Sequence, residues 1–473
     1  GNPHVRFDEG EVASAKPRRG SLLYKSLSVS LKRLPFLSAA IAVTFAASAA
    51  DGTWVARDGV GTSVANFAAW SDAANWEDGT VPTSLDADTA TLTNATKAGQ
   101  YIRLDDASLA LKAVNGWIMN AGGRRAVLVG DGAFQVSYAG NLSGVCLYAP
   151  WRRTGGATGA SLYTGLLDAT ICGDCSDYYF ATLLQGTVQF RYDRYASAAG
   201  GTRTDGPIPS GSRLTLNGGA RVVLTAPRGT DEAQVATFSQ TEGSPFLVAV
   251  GDHETLPVGT AVTGVGIPEG TWLKRIFPDG SIELSAAVTA TASANALSFA
   301  PLAVALTQTI GEIRGFNAGG GLTLCLQKYR ASDVFRVEMQ KFVDAAKKER
   351  TVVFTAEDGF CPATLVFLAD QDESAYTFDL QQAHFELKGD ILGPKVQSRA
   401  ATDSVRVTVP ETREQAISNV VAFAGTLTKD GTGTLRLFVG GGGILTRPRQ
   451  LSSRRASLRP SWRMAKRRVS SRT

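Results

Sequence analysis

After residue 50, apolar and polar residues alternate with a period of two in short runs separated by Gly, Asp and Asn. The runs include "ASLALKAV", "RAVLVGDGAFQVSYAG", "GTVQFRYDRY", "SRLTLNGGARVVLTA", "RTVVFTAEDG", "AYTFDLQQAHFELKGD", "DSVRVTVP" and "GTLTKDGTGTLRLFV". Each presents one apolar face, as a half-buried strand does. Links such as "NGGA", "GDGA" and "DGTG" join one run to the next with no room for the long crossover helices of a doubly wound sheet. The pattern predicts an all-β chain built as a β-solenoid, whose coils bury inward residues against the coils on either side. At a repeat of roughly 20 to 25 residues, the body would hold on the order of ten to fifteen coils.

Two segments depart from this rhythm. Residues 251–301 read as a small inserted all-β module with turns at "IPEG" and "PDGS". Its "GVGIPEG" has the glycines of a phosphate loop, but Pro268 and the strand-like "TWLKRI" deny it the helix N-terminus that receives a pyrophosphate. In "ASDVFRVEMQKFVDAAKKER", Phe335, Met339, Phe342, Val343 and Ala346 fit helical spacing, while Phe335, Val337 and Met339 fit a strand. Strand over 334–339 is the preferred reading, with a short packed helix as the alternative.

Composition sharpens the picture at the two ends. The net charge of +5 conceals seven Lys/Arg against three acids in residues 1–50, and ten Lys/Arg with no acid in residues 444–473. Residues 51–443 therefore carry a net charge of −9. An acidic body repels phosphate backbones, so no nucleic-acid partner is expected for it. Residues 444–473, rich in Arg, Ser and Pro, lose the alternation, and the expectation is a non-native tail read from a shifted frame.

Near the start, Lys25, Lys32 and Arg33 precede an apolar run over residues 37–47 and small residues around Ala49 and Ala50. That is the form of a secretory signal, too short to span a bilayer, which needs about 20 apolar residues. The first Met is Met119, so residues 1 to about 20 are set aside as upstream sequence, His4 included. The expected location is the cell surface or the extracellular space, and no other stretch is long enough for a transmembrane span. Domains are expected at 1–50 (upstream residues and signal), 51–250 (cap and coils), 251–301 (insertion), 302–443 (coils) and 444–473 (tail). Trp54, Trp70 and Trp76, early in the body, are suited to plugging the open end of a stacked core.

Candidate chemistry is sparse. Five cysteines, Cys146, Cys172, Cys175, Cys325 and Cys361, are too few for a disulfide framework in an exported chain of this size. "CGDC" at 172–175 lacks a second CxxC or a nearby His, which favours a short-loop disulfide or thiols over zinc or redox chemistry. His253 and His384 sit in strand-and-turn contexts with no GxSxG elbow to complete a Ser/His/Asp arrangement. The acid groups Asp86/Asp88, Asp105/Asp106 and Asp370/Asp372/Glu373 lie in turn-like stretches where Asp bonds its own backbone. The last of these lacks the Gly of a calcium loop. No catalytic, cofactor-binding or metal residue is assigned, and no enzyme activity is expected.

One motif does carry a resemblance. "AGTLTKDGTGTLRLFVGG", with Gly425, Leu427, Lys429, Gly431, Gly433, Leu435 and Leu437, resembles the autotransporter-associated β-strand repeat. "WSDAANWEDGTVPTSLDADTATLT" is similar to the opening segment of large exported proteins that carry such repeats. The 251–301 segment is similar to a small β module found in such proteins and in fibre-like surface proteins. The resemblance implies a right-handed parallel β-helix passenger, displayed at or released from the cell surface, and brings no catalytic residues with it. The expected function is a structural, adhesin-like scaffold, with surface glycans or neighbouring cells as partners. A β-helix enzyme acting on polysaccharide is the alternative. End-to-end self-association through an uncapped final coil is a further expectation.

Overall fold

The computed structural model describes residues 51–55, 57–83, 89–92, 100–104, 109–111, 113–117, 126–132, 134–136, 141–143, 145–152, 165–167, 169–173, 181–200, 207–208, 210–316, 320–344, 349–439 and 451–453. His4, the signal segment, Asp86, Asp88, Asp105, Asp106, Cys175 and most of the tail lie outside them. Described secondary structure is β apart from two single-turn 3₁₀ helices, Ala73–Asn75 and Glu77–Gly79. Every alternating run quoted above forms one or two strands.

Most strands belong to two long sheets, and all but one of their pairings are parallel. One runs from Gly52–Thr53 through Ser212–Asn217, Ala305–Phe316 and Val334–Asp344 to Thr426–Asp430. The other runs from Ala68–Ala69 through Arg221–Thr225 and Leu322–Lys328 to Thr434–Val439. A third, three-stranded parallel sheet joins Leu109–Leu111, Phe134–Val136 and Trp151–Arg152. Register keeps like residues stacked: Val337, Leu365, Phe385, Val405 and Leu427 follow one another across five strands of the first sheet. All five are buried. Phe367 of the first sheet stacks on Phe378 of the second at 5.6 Å, so the inner faces of the two sheets share one core.

At the N-terminal end, Trp54, Trp70 and Trp76 pack against one another with centroids 4.7 to 6.2 Å apart and belong to this same core. Their indoles are satisfied: Nε1 of Trp54 donates to Gln100, of Trp70 to the Pro82 carbonyl and of Trp76 to the Trp70 carbonyl. Buried tryptophans stay put when the N–H finds a partner, which these do.

The segment in which helix competed with strand is an eleven-residue strand, Val334–Asp344. Its helical look comes from a parity break. Phe335, Val337 and Met339 face inward, Gln340 and Lys341 are both exposed, and inward facing resumes at Phe342. The neighbouring strand Ala305–Phe316 breaks at the same level, between Ile310 and Ile313. Two stacked irregularities mimic an i, i+3 spacing.

Between Arg221–Thr225 and its parallel neighbour Leu322–Lys328, residues 226–304 leave the stack and return, closed by the antiparallel bridge Thr230–Leu302. They carry a six-stranded antiparallel sheet with its own core around Phe238, Leu247, Leu273, Ile282, Leu297 and Phe299. This sheet includes Gln234–Gln240 and Phe246–Ala249, which precede the expected boundary at 251. Period alone does not tell a module strand from a body strand, since both alternate. The tail differs from expectation at one place: Leu451–Ser453 pairs in parallel with Leu427–Lys429. A sheet edge offers unpaired N–H and C=O groups to any extended segment that reaches it.

Candidate functional site

The repeat-like segment shows why its residue types are required. Thr426–Asp430 and Thr434–Val439 are successive strands, one in each long sheet, joined by a turn over Gly431 and Gly433. Gly431 has φ 78°, and a Cβ there would overlap the Val409 carbonyl of the preceding turn. A Cβ at Gly433 would strike the Pro410 carbonyl. Only glycine lets two turns approach this closely. Lys429 sits at an inward position, in register with Val407, and is buried; its Nζ donates to the Gly431 carbonyl at 2.7 Å and so ties the strand to its own turn.

Outward positions on the same strands form a polar surface. Arg336, Thr364, His384, Ser404 and Thr426 line up in register across five strands of the first sheet. Beside them run Glu338, Glu386, Arg406 and Thr428, a row interrupted by Val366, which is apolar and fully buried. Arg336 pairs with Glu386 at 2.9 Å and Arg406 with Asp430 at 3.5 Å, so charges of both signs alternate across the face. Adjacent members of a row lie about 4.8 Å apart, the spacing of hydrogen-bonded strands.

His384 Nδ1 and Ser404 Oγ are hydrogen-bonded in this ladder. Burial pushes the imidazole below its ordinary value, and the nearby Lys328 ammonium adds to the effect against the pull of Asp403. The ring is therefore poised neutral. Asp403 does not orient it, because its Oδ1 accepts from the backbone N–H groups of Gln382 and Ala383 and its Oδ2 from Ser398 Oγ and the Ala400 N–H. Among the described residues, no carboxylate is hydrogen-bonded to the His384 ring. His253 is committed differently, with its two ring nitrogens bonded to the Glu254 and Gly280 carbonyls, both at 2.9 Å, and its ring near Phe238.

The acidic turn is also occupied. Asp370 accepts from the Asp390 N–H at 2.7 Å and lies 3.6 Å from Arg413, while Asp372 pairs with Lys341 at 3.0 Å. Among the described residues no group of three or more His, Cys, Asp or Glu side chains is arranged to hold a metal ion. "GVGIPEG" leads into the strand Leu273–Ile276. Cys146, Cys172 and Cys325 are buried. Cys325 donates its S–H to Gln327, and burial, with Glu357 nearby, pushes its thiol up to about 12, which makes it a poor nucleophile. Among the described residues, no helix is long and apolar enough to cross a membrane.

Two polar clusters were not legible in the sequence. Asp193 is fully buried and receives Arg191 Nε and Nη2 at 2.8 and 2.6 Å and Tyr329 Oη at 2.6 Å. Burial alone would raise its carboxyl, but the Arg191 guanidinium overrides that and leaves it below the ordinary range. The second cluster joins the module to the body. Arg275, 1% exposed, meets Glu283 within the module and Asp131 of the body, the latter at 2.7 Å. Lys274 meets the same two carboxylates. "RYDRY" hinted at the first cluster, but Tyr329 is 136 residues away from Asp193; Asp131 and Arg275 are separated by 144.

Comparison with protein-family models, with curated proteins and with solved structures found no match to this chain in any of the three.

Proposed function

We propose that the chain is an exported right-handed parallel β-helix that works as a surface or secreted adhesin-like scaffold, related in build to autotransporter-associated repeat proteins. Support for the β-helix comes from the order in which the chain visits the sheets. From Tyr101–Arg103 to Thr170–Ile171 the strands fall in the second, third and first sheets in strict rotation, each pairing in parallel with its counterpart one circuit later. Parallel crossovers within a sheet are right-handed in nearly all known cases. Support for the repeat kinship comes from the turn geometry of Gly431 and Gly433 and the inward Lys429.

The observation that carries the binding role is the polar ladder from Arg336 to Thr426 with its flanking ion pairs. A repeating row of hydroxyl, imidazole and paired charged groups suits an extended hydroxyl-rich polymer such as a surface glycan. The His384–Ser404 contact is the observation that favours the alternative, a carbohydrate-active β-helix.

One experiment separates the readings. Wild type and an Arg336→Ala/Ser404→Val double variant are applied to a broad panel of acidic and neutral glycans, with both retention and product release followed. Retention by wild type that the variant loses, without product, supports the scaffold. Sustained product release replaces it with the enzyme, and absence of retention removes the ladder as a binding face. Export is checked separately, by fractionating cells and medium and sequencing the mature N-terminus, expected just after Ala49 or Ala50.

A further inference from the structure

The six-stranded module does not project from the body; it lies on the outer face of the second long sheet. Phe246 and Phe277 of the module pack against Phe67, Tyr101 and Tyr148, with centroids at 4.8 Å for Phe67–Phe246, 6.0 Å for Tyr101–Phe277 and 5.1 Å for Tyr148–Phe277. Val127, Val129 and Cys146, at outward positions of the sheet, are buried in the same cluster. Tyr148 Oη donates to the Ile276 carbonyl at 2.6 Å. Beside this apolar seat sits the ionic one: Asp131 takes Lys274 Nζ on both oxygens and Arg275 Nη2 on one, all at 2.7 Å, and Arg275 Nη2 also donates to the Gly130 carbonyl at 2.9 Å.

We propose that the module is an acid-released clamp on the outer face of the second sheet, latched by Asp131 of the body against Lys274 and Arg275 of the module. The charged and titratable groups facing the latch are Lys274, Arg275 and Glu283 from the module and the Tyr195 ring stacked under Arg275 at 5.0 Å, and on the apolar side of the same seat Asp279 of the module hydrogen-bonds Tyr101 of the body. With Asp131 ionised, two cations face two carboxylates. Protonating Asp131, whose side chain is 57% exposed, leaves Lys274 and Arg275 sharing Glu283 alone, an excess of one positive charge beside an almost wholly buried guanidinium.

The direction with pH follows from the docked geometry. Burial would raise the Asp131 carboxyl, but Arg275 and Lys274 override it and hold it below the ordinary carboxylate value. Its contribution to docking is therefore complete above about pH 4 and is lost as the pH falls further. The module, rather than the body, gives way because the stack continues in register past it, from Arg221–Thr225 directly to Leu322–Lys328. Release would uncover Tyr101, Val127, Val129 and Cys146 together with Phe246 and Phe277, an apolar surface of the kind that seeks a partner.

The Cys146 thiol reports on the clamp, and Cys325, buried on the same sheet four strands further along and outside the cluster under the module, reports on the body. The whole protein is treated with a dithiodipyridine reagent, which reacts at acid pH, and the adducts are mapped to individual cysteines by mass spectrometry. Lowering the pH from about 7 to about 3 should speed labelling of Cys146 severalfold relative to Cys325, up to the roughly ninefold that one carboxyl with an ordinary undocked pKa of about 3.9 can supply. Asp131→Asn should show that acceleration already at neutral pH. Cys146 and Cys325 opening in step at every pH would mean general unfolding and would overturn the clamp, as would a Cys146 that stays protected throughout. If Asp131→Asn does not fold, the wild-type titration decides alone.

Discussion

Ala126–Val129 and Ser404–Thr408 do the same work as stacked parallel strands, yet one reads "AVLV" and the other "SVRVT". All four residues of the first are buried, at 3% exposure or less, whereas in the second only Val405 and Val407 are. The difference is what lies outside. Phe277 and the rest of the module cover the outward side chains of Ala126–Val129, while Ser404, Arg406 and Thr408 face solvent. Parallel strands buried on both faces become continuously apolar, and strands buried on one face alternate. The apolar outward positions of the early strands are thus the footprint of the module, written into a part of the chain more than a hundred residues away from it.

The strongest test of this contrast exchanges chemistry at equivalent outward positions. Val127→Asp places a carboxylate in the apolar cluster under the module, and should cost roughly 3 kcal/mol or more. Arg406→Ser, at an outward position facing solvent with only an exposed ion pair to Asp430 to lose, should cost less than about 1 kcal/mol. Denaturant midpoints of the two variants measure the gap; similar costs would mean that the module does not seal that face.

A middle-sized effect is expected at the close approach of successive turns. Gly433→Ala forces a methyl group into the Pro410 carbonyl and should destabilise by about 1–3 kcal/mol. Gly359→Ala makes a useful control, because its surroundings are open and only its positive φ of 85° resists the change. If thermal unfolding shows the two substitutions to be equally costly, close packing between turns is not the reason for the Gly433 requirement.

The smallest effect concerns the polar ladder. The folded state holds His384 below its ordinary value, so the unfolded chain binds its proton first as the pH drops. The neutral ring's contribution is complete above about pH 6.5 and declines as the pH falls from there toward the folded value. His384→Asn should flatten that shallow decline, with any cost of losing the ring and its bond to Ser404 appearing as a constant offset at every pH. Unfolding curves across the range, compared between wild type and variant, would show no difference in pH dependence if the ring were solvated like a free imidazole.

Much of the secondary structure was legible because a two-residue period survives any arrangement of the strands. "DSVRVTVP" declares its inward valines whatever they pack against, and "AYTFDLQQAHFELKGD" declares two strands and a turn. The helix-or-strand conflict at Phe335, Met339 and Phe342 was not resolvable locally. A parity break in a strand has the spacing of a helix face, and pairing with Ala305–Phe316 is what settles it. The module's earlier start at Gln234 was hidden for the same reason, since Phe238 and Leu247 alternate just as body residues do.

The candidate surface divides in the same way. That Thr364, His384, Ser404 and Thr426 point outward follows from alternation, but their single file depends on register between strands about twenty residues apart. The acidic turn at Asp370 and Asp372 was expected to bond its own backbone, whereas Asp370 accepts from the Asp390 N–H twenty residues on, and the turn's ties to Lys341 and Arg413 likewise needed neighbours from other turns.

Local sequence by itself determined the all-β character, the positions of most strands and turns, and which side chains of each late strand face inward, because these depend on interactions a few residues in range. Tertiary structure alone decided the stacking order, the covering of the early strands by the module, and the joining of Asp131 to Lys274 and Arg275. Parallel pairing and charge pairing both act between residues far apart in the chain, and neither leaves a periodic mark on the sequence that forms them.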